Sequence, residues 1–143
     1  MSRSEEAAIK RERRKAHFFA EITPLIREIS QDEPSVAQVY VSNIDLSPDG
    51  GTCYVLFSAF KEPGTEVFAR ALEVLKLYRP SLRKAFAQRV SVRYAPELVF
   101  QYDAAKEKER RINDLLDKVV EELHSDDTSD VQAVQEIQDD KQS

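Results

Sequence analysis

The chain has no tryptophan, one cysteine, one methionine, two histidines and three glycines among 143 residues. Each scarcity removes a class of explanation. The lone Cys53 cannot close an internal disulfide, which suits a reducing cytosol. In a strand and beside no evident base, it reads as a small packed hydrophobe. His17 and His124 stand far apart and fall in no metal-ligand spacing. Gly50, Gly51 and Gly64 build no phosphate-cradling loop, so nucleotide hydrolysis has no support. No apolar run approaches the roughly 20 residues of a membrane span. The basic start lacks the apolar stretch of a signal peptide, so a cytoplasmic protein is expected. No set of acid, base, nucleophile and metal ligands converges. The expectation is a protein with no catalytic activity, no cofactor and no metal.

Charge is abundant and segregated. Residues 1–100 hold fifteen Lys/Arg against thirteen Asp/Glu, whereas residues 121–143 hold eight acids against one lysine. The overall charge of -5 therefore reflects the end of the chain. Within it, Arg70, Lys76, Arg79, Arg83, Lys84, Arg89 and Arg93 face the single acid Glu73 over residues 70–93. A second basic cluster is Lys10, Arg11, Arg13, Arg14 and Lys15. Either cluster reads as a solvated helix face or as an anion-binding one. So few acids beside the first argue against a surface laced with ion pairs.

Periodicity supplies the elements. Phe18, Ile22, Leu25 and Ile29 recur at helical spacing, predicting a helix over 8–30 behind a flexible lead of residues 1–7. Pro24 should kink or divide it, with Thr23 capping the second part. Residues 36–46 read as a strand whose two apolar parities require a bulge near Ser42-Asn43. Ser47-Pro48-Asp49-Gly50-Gly51 is a turn, and 52–60 is a second strand of the same hairpin. Both faces of that second strand are apolar, which predicts a central position. Thr65 is a helix cap for Phe68, Ala71, Leu72 and Leu75. The helix should stop before Pro80, which suits the first position of a new helix burying Leu82 and Phe86. A third strand is read over 90–102, interrupted at Ala95-Pro96. Asp103 caps a last helix with the stripe Ile112, Leu115, Leu116, Val119, Val120 and Leu123. Residues 124–143 read as an acidic disordered tail, leaving 8–123 as the domain. The class is α+β, three strands with helices on one face plus a C-terminal helix.

The order α-β-β-α-kink-α-β is that of a type II KH-like fold. The run Arg93-Tyr94-Ala95-Pro96-Glu97-Leu98-Val99-Phe100, followed by Tyr102-Asp103, carries a finer likeness. With Val41-Ser42-Asn43-Ile44-Asp45-Leu46-Ser47-Pro48-Asp49 and the Leu82-Arg83 pair, it resembles the ribosome-binding factor A family over about residues 8–120. The resemblance implies an RNA-binding assembly factor on the small (30S) ribosomal subunit. It implies a role in late maturation and processing of small-subunit (16S) rRNA, and in cold adaptation. The family's kink carries a small residue, any residue, then glycine. Here Tyr78-Arg79-Pro80 occupies that place. Under this reading Arg79, Arg83, Lys84, Arg89 and Arg93 would hold rRNA phosphates, and Lys10, Arg11, Arg13, Arg14 and Lys15 would extend the footprint. The partner is the small subunit, with no small-molecule substrate, and the protein is expected to be a monomer. A general RNA-binding regulator, or a module dimerising through the last helix, are the alternatives.

Overall fold

A computed structural model describes residues 2–126. Helix α1 (Arg3–Asp32) leads through a 3-10 turn (Val36–Gln38) to strands β1 (Val39–Leu46) and β2 (Thr52–Ala59). Helix α2 (Gly64–Val90), strand β3 (Glu97–Tyr102) and helix α3 (Ala104–Asp126) follow. Residues up to Lys106 form one compact unit, and a second begins at Glu107.

The sheet runs β1-β2-β3, antiparallel across the first pair and parallel across the second. β2 is central, as its two apolar faces require. The register of β1 slips between Val41 and Asn43, which is the expected bulge. It lets Val39 and Val41 share a face with Ile44 and Leu46 despite their opposite parities. These four pair with Ala59, Phe57, Val55 and Cys53, and the last two also pair with Phe100 and Leu98. All are buried on that face. Phe18, Ile22, Ile26 and Ile29 of α1 and Phe68, Ala71, Leu75, Leu82 and Phe86 of α2 join the same core. The Phe18 and Phe86 rings meet edge to face, 4.9 Å between centroids.

Several boundaries differ from the sequence reading. α1 begins at Arg3, inside the stretch read as a flexible lead. The Ser2 hydroxyl accepts from the Glu5 amide, and Glu5 and Glu6 place negative charge in the first turn. α1 continues through Pro24, and the Thr23 hydroxyl donates back to the Phe19 carbonyl instead of capping a new helix. α2 likewise runs unbroken through Pro80, where two helices were expected. Proline costs one backbone bond, here to the Lys76 carbonyl, while Leu75 and Leu82 stay buried on either side. α2 starts at Gly64, so Thr65 lies inside it and caps nothing. It also takes up Val90, read as strand, because Val90 repeats the buried spacing of Phe86. It ends at Ser91, left-handed at φ 54°, whose amide bonds to the Ala87 carbonyl.

Asp103 caps α3 as read, accepting from the Lys106 amide at 2.9 Å. Its other oxygen accepts from the Ser42 hydroxyl at 2.7 Å, so one buried carboxylate joins the β1 bulge to the end of β3. In the second unit, Ile112, Leu115, Leu116, Val119, Val120 and Leu123 are exposed. The expected tail starts inside α3, and residues 127–143 lie outside the described residues.

Candidate nucleic-acid interface

The β1–β2 turn is closed by its own polar groups. The Ser47 hydroxyl donates to Asp49 Oδ1 at 2.7 Å and accepts from the Thr52 amide at 2.9 Å. The Gly51 amide donates to the same Asp49 oxygen at 2.9 Å. These bonds, the Ser47 hydroxyl first and the Gly51 amide second, hold the Asp49 carboxyl below the usual carboxylate range. Gly50 takes φ +74°, a conformation that suits glycine. A methyl group there would sit 3.0 Å from Nη1 of Arg14, so the bare backbone also admits that guanidinium.

Two grooves flank this turn. One, about 430 Å³, is lined by Lys10, Arg11, Arg14, Leu46, Ser47 and Asp49 among others. The other, about 420 Å³, is lined by Arg14, Asp49, Gly50 and the loop carrying Arg93, Tyr94 and Pro96. Arg14, Asp49 and Gly50 line both, so the two meet at the turn. Arg11 donates to the carbonyls of Leu46 and Ser47 and lies 3.8 Å from Asp45, which docks α1 on the turn. The Arg14 guanidinium stands 5.3 Å from the Phe18 ring centre. The loop is tied to the turn by the Glu97 amide, which donates to the Gly51 carbonyl at 2.9 Å.

The sequence-predicted basic residues divide three ways. Lys10, Arg11, Arg14 and Arg93 are brought together around the turn. Lys10 and Arg14 are exposed, whereas Arg11 is half-buried. Others are engaged by partners within the chain. Arg83 donates to the Ala95 carbonyl at 2.9 Å and the Pro96 carbonyl at 3.2 Å, and lies 3.4 Å from Glu97. It clamps the loop ahead of β3, and Glu97 is its structural partner. Arg79 lies 5.1 Å from the Phe100 ring centre, its Nε buried, so it covers the sheet. Arg89 pairs with Glu21 at 2.8 Å, and Lys15 with Glu12 at 3.5 Å. Arg13 and Lys84 are exposed and lie apart from both grooves' linings.

Of the residues of the expected kink, Tyr78 and Arg79 turn toward the fold. Tyr78 donates its hydroxyl to Glu33 at 2.9 Å, and this bond above all raises its pKa. It joins α2 to the end of α1. Pro80 is exposed. Tyr94 is 77% exposed beside Arg93, although the sequence places it only in the run that carries the family likeness and gives it no binding role. Its only signal in the sequence is an aromatic next to arginine in a loop closed by proline.

Burial pushes the Cys53 thiol up to about 12, although the Arg14 charge pulls the other way. The thiol is a core group and no nucleophile. No described helix is long and apolar enough to cross a membrane.

Comparison with known proteins accounts for this architecture. The family model for ribosome-binding factor A matches residues 10–116. The chain is 35% identical to ribosome-binding factor A of Alkalilimnicola ehrlichii over 113 residues, 77% of this chain and 85% of that one. It is 32% identical to that of Halothermothrix orenii over 102 residues, 71% and 80% of the two chains. The crystal structure of ribosome-binding factor A from Thermus thermophilus aligns with a TM-score of 0.54 at 27% identity, covering 63% of this chain and 92% of that one. With the sheet order, the bulge and the Asp103 cap in place, the chain belongs to the ribosome-binding factor A family.

Proposed function

We propose that this protein binds the small (30S) ribosomal subunit as a non-catalytic assembly factor, gripping rRNA and assisting its late maturation, with its greatest value in the cold. The observation that carries the reading is the convergence of Lys10, Arg11, Arg14 and Arg93 around the β1–β2 turn. Family membership supports the ribosomal partner, since the named relatives are ribosome-binding factors. The footprint is centred on the start of α1 and the α2–β3 loop. Arg79, Arg83 and Arg89 act through the fold. Phosphate contacts position RNA without reading its sequence, so sequence preference from these groups is weak.

Co-sedimentation of the full chain with purified small subunits tests this. Four single-strand phosphate contacts predict a log–log salt slope of about -2.8. Lys10→Glu with Arg14→Glu should leave the circular dichroism spectrum unchanged, halve that slope and weaken binding by about tenfold or more. Undiminished co-sedimentation of the double variant would remove this face. Equal affinity for free RNA and for subunits would favour a general RNA-binding regulator instead.

A second reading, self-association through α3, draws on the six exposed apolar residues of its stripe. Sedimentation equilibrium decides it, because a monomer at micromolar concentration excludes the dimer.

A further inference from the structure

Resting on the RNA-binding reading, we propose that the groove beside the β1–β2 turn holds one unstacked nucleobase of single-stranded RNA. Tyr94 is its stacking platform, Arg14 and Arg93 hold the flanking phosphates, and Asp49 accepts from the edge of the base. Four observations converge on this. Tyr94 is 77% exposed, an unusual state for a large ring in a loop fixed at both ends. The Arg93 guanidinium lies 5.5 Å from its ring centre, so a cation already borders the platform. The adjoining groove, about 420 Å³, has Arg14 and Asp49 on its wall. The backbone that follows Tyr94 is tied down: Arg83 bonds the Ala95 and Pro96 carbonyls, Pro96 is buried, and the Glu97 amide is bonded to Gly51. A seated aromatic loses little freedom when a base stacks on it.

The chemistry selects the ligand. A π-face beside two guanidinium groups suits a planar base with its phosphates. A lone anion would make no use of the ring. Asp49 spends Oδ1 on Ser47 and Gly51, and its Oδ2 has no hydrogen-bond partner among the described residues. A carboxylate oxygen accepts the exocyclic amino group of cytosine and repels the carbonyl that uracil presents there. The site should therefore prefer cytosine to uracil.

The test uses the full chain and two hexanucleotides, oligocytidine and oligouridine. Stacking predicts upfield movement of the Tyr94 ring signals in NMR on adding oligocytidine. Fluorescence anisotropy should show Tyr94→Ala binding it about tenfold more weakly and Tyr94→Phe binding nearly as the parent does. Oligouridine should bind the parent more weakly than oligocytidine, and Asp49→Asn should narrow that difference. Unmoved Tyr94 ring signals, or equal binding by Tyr94→Ala and the parent, would overturn the platform. Equal affinity for the two pyrimidines would overturn the role of Asp49. Subunit co-sedimentation of the parent chain, run in parallel, separates the two levels. If it fails, the ribosomal reading falls while the hexanucleotides still decide the platform. If it succeeds and Tyr94→Ala is unaffected in every assay, only the platform falls.

Discussion

Cys53 shows how burial turns one residue into a pH-dependent contribution. Its thiol pKa is raised from 9.0 to about 12, because the thiolate would be desolvated in the core. As pH rises past 9, the unfolded chain loses this proton before the folded one does. Stability from this group is therefore complete below 9 and is lost between 9 and about 12. Cys53→Ala abolishes the contribution. Between about pH 8 and about pH 10, the parent should lose about 1 kcal/mol more stability than the variant in urea unfolding. An equal loss in both would show that burial does not govern this thiol. Arginine placement is the opposite case, where the sequence is silent. Arg83 and Arg93 look alike along the chain. Yet Arg83 finds the Ala95 and Pro96 carbonyls, whereas among the described residues Arg93 borders the Tyr94 ring alone. A long side chain on a helix sweeps a wide arc, and only the neighbouring loop decides where its guanidinium stops.

At the scale of elements, the ends of α2 are the instructive part. Ser91 closes the helix in the left-handed region at φ 54°, which costs a side-chain-bearing residue about 1 kcal/mol. Ser91→Gly removes the cost without disturbing the amide bond to Ala87. It should raise stability by about 0.5–1 kcal/mol and the melting temperature by a few degrees. Calorimetry showing no gain would mean that the serine hydroxyl offsets the strain. The same helix marks where local reading failed. Pro80 is a breaker by local rules, but Leu75 and Leu82 each bury a side chain that holds the helix on the sheet. Burying side chains of that size is worth about 1.5–3 kcal/mol each, against the roughly 3 kcal/mol or more of an internal proline. Packing therefore carries the helix through. The β1 bulge, by contrast, was legible, because a parity switch between Val41 and Ile44 has no other remedy in a strand with one buried face.

For the whole molecule, charge distribution sets the long-range behaviour. Residues 125–143 carry six acids and one lysine, so ending the chain at 124 changes its formal net charge from -5 to 0. We expect the shortened chain to bind a single-stranded hexanucleotide severalfold more tightly at about 0.05 M salt, and equally at about 0.5 M, where the screening length is short. Unchanged affinity at low salt would show that the acidic segment does not influence the basic groove. The apolar face of α3 shows what helical spacing reports. The stripe from Ile112 to Leu123 is apolar at helical spacing, and its residues are exposed in the unit that begins at Glu107. An amphipathic period reports that a helix has an apolar face, but says nothing about what covers it.

The sequence alone determined the class, the strand count, the hairpin, the central place of β2, the Asp103 cap and the family. These follow from short-range rules: alternation, helical spacing, turn residues and a compact run of motif residues. Tertiary structure decided which basic residues are available to a ligand. It engaged Arg79, Arg83, Arg89 and Tyr78 with partners within the chain and gathered Lys10, Arg11, Arg14 and Arg93 around one turn. It also exposed Tyr94 at the same place. The reason is physical: a site is a convergence of side chains from distant segments. Which charge faces solvent and which finds a carbonyl is settled only when those segments pack.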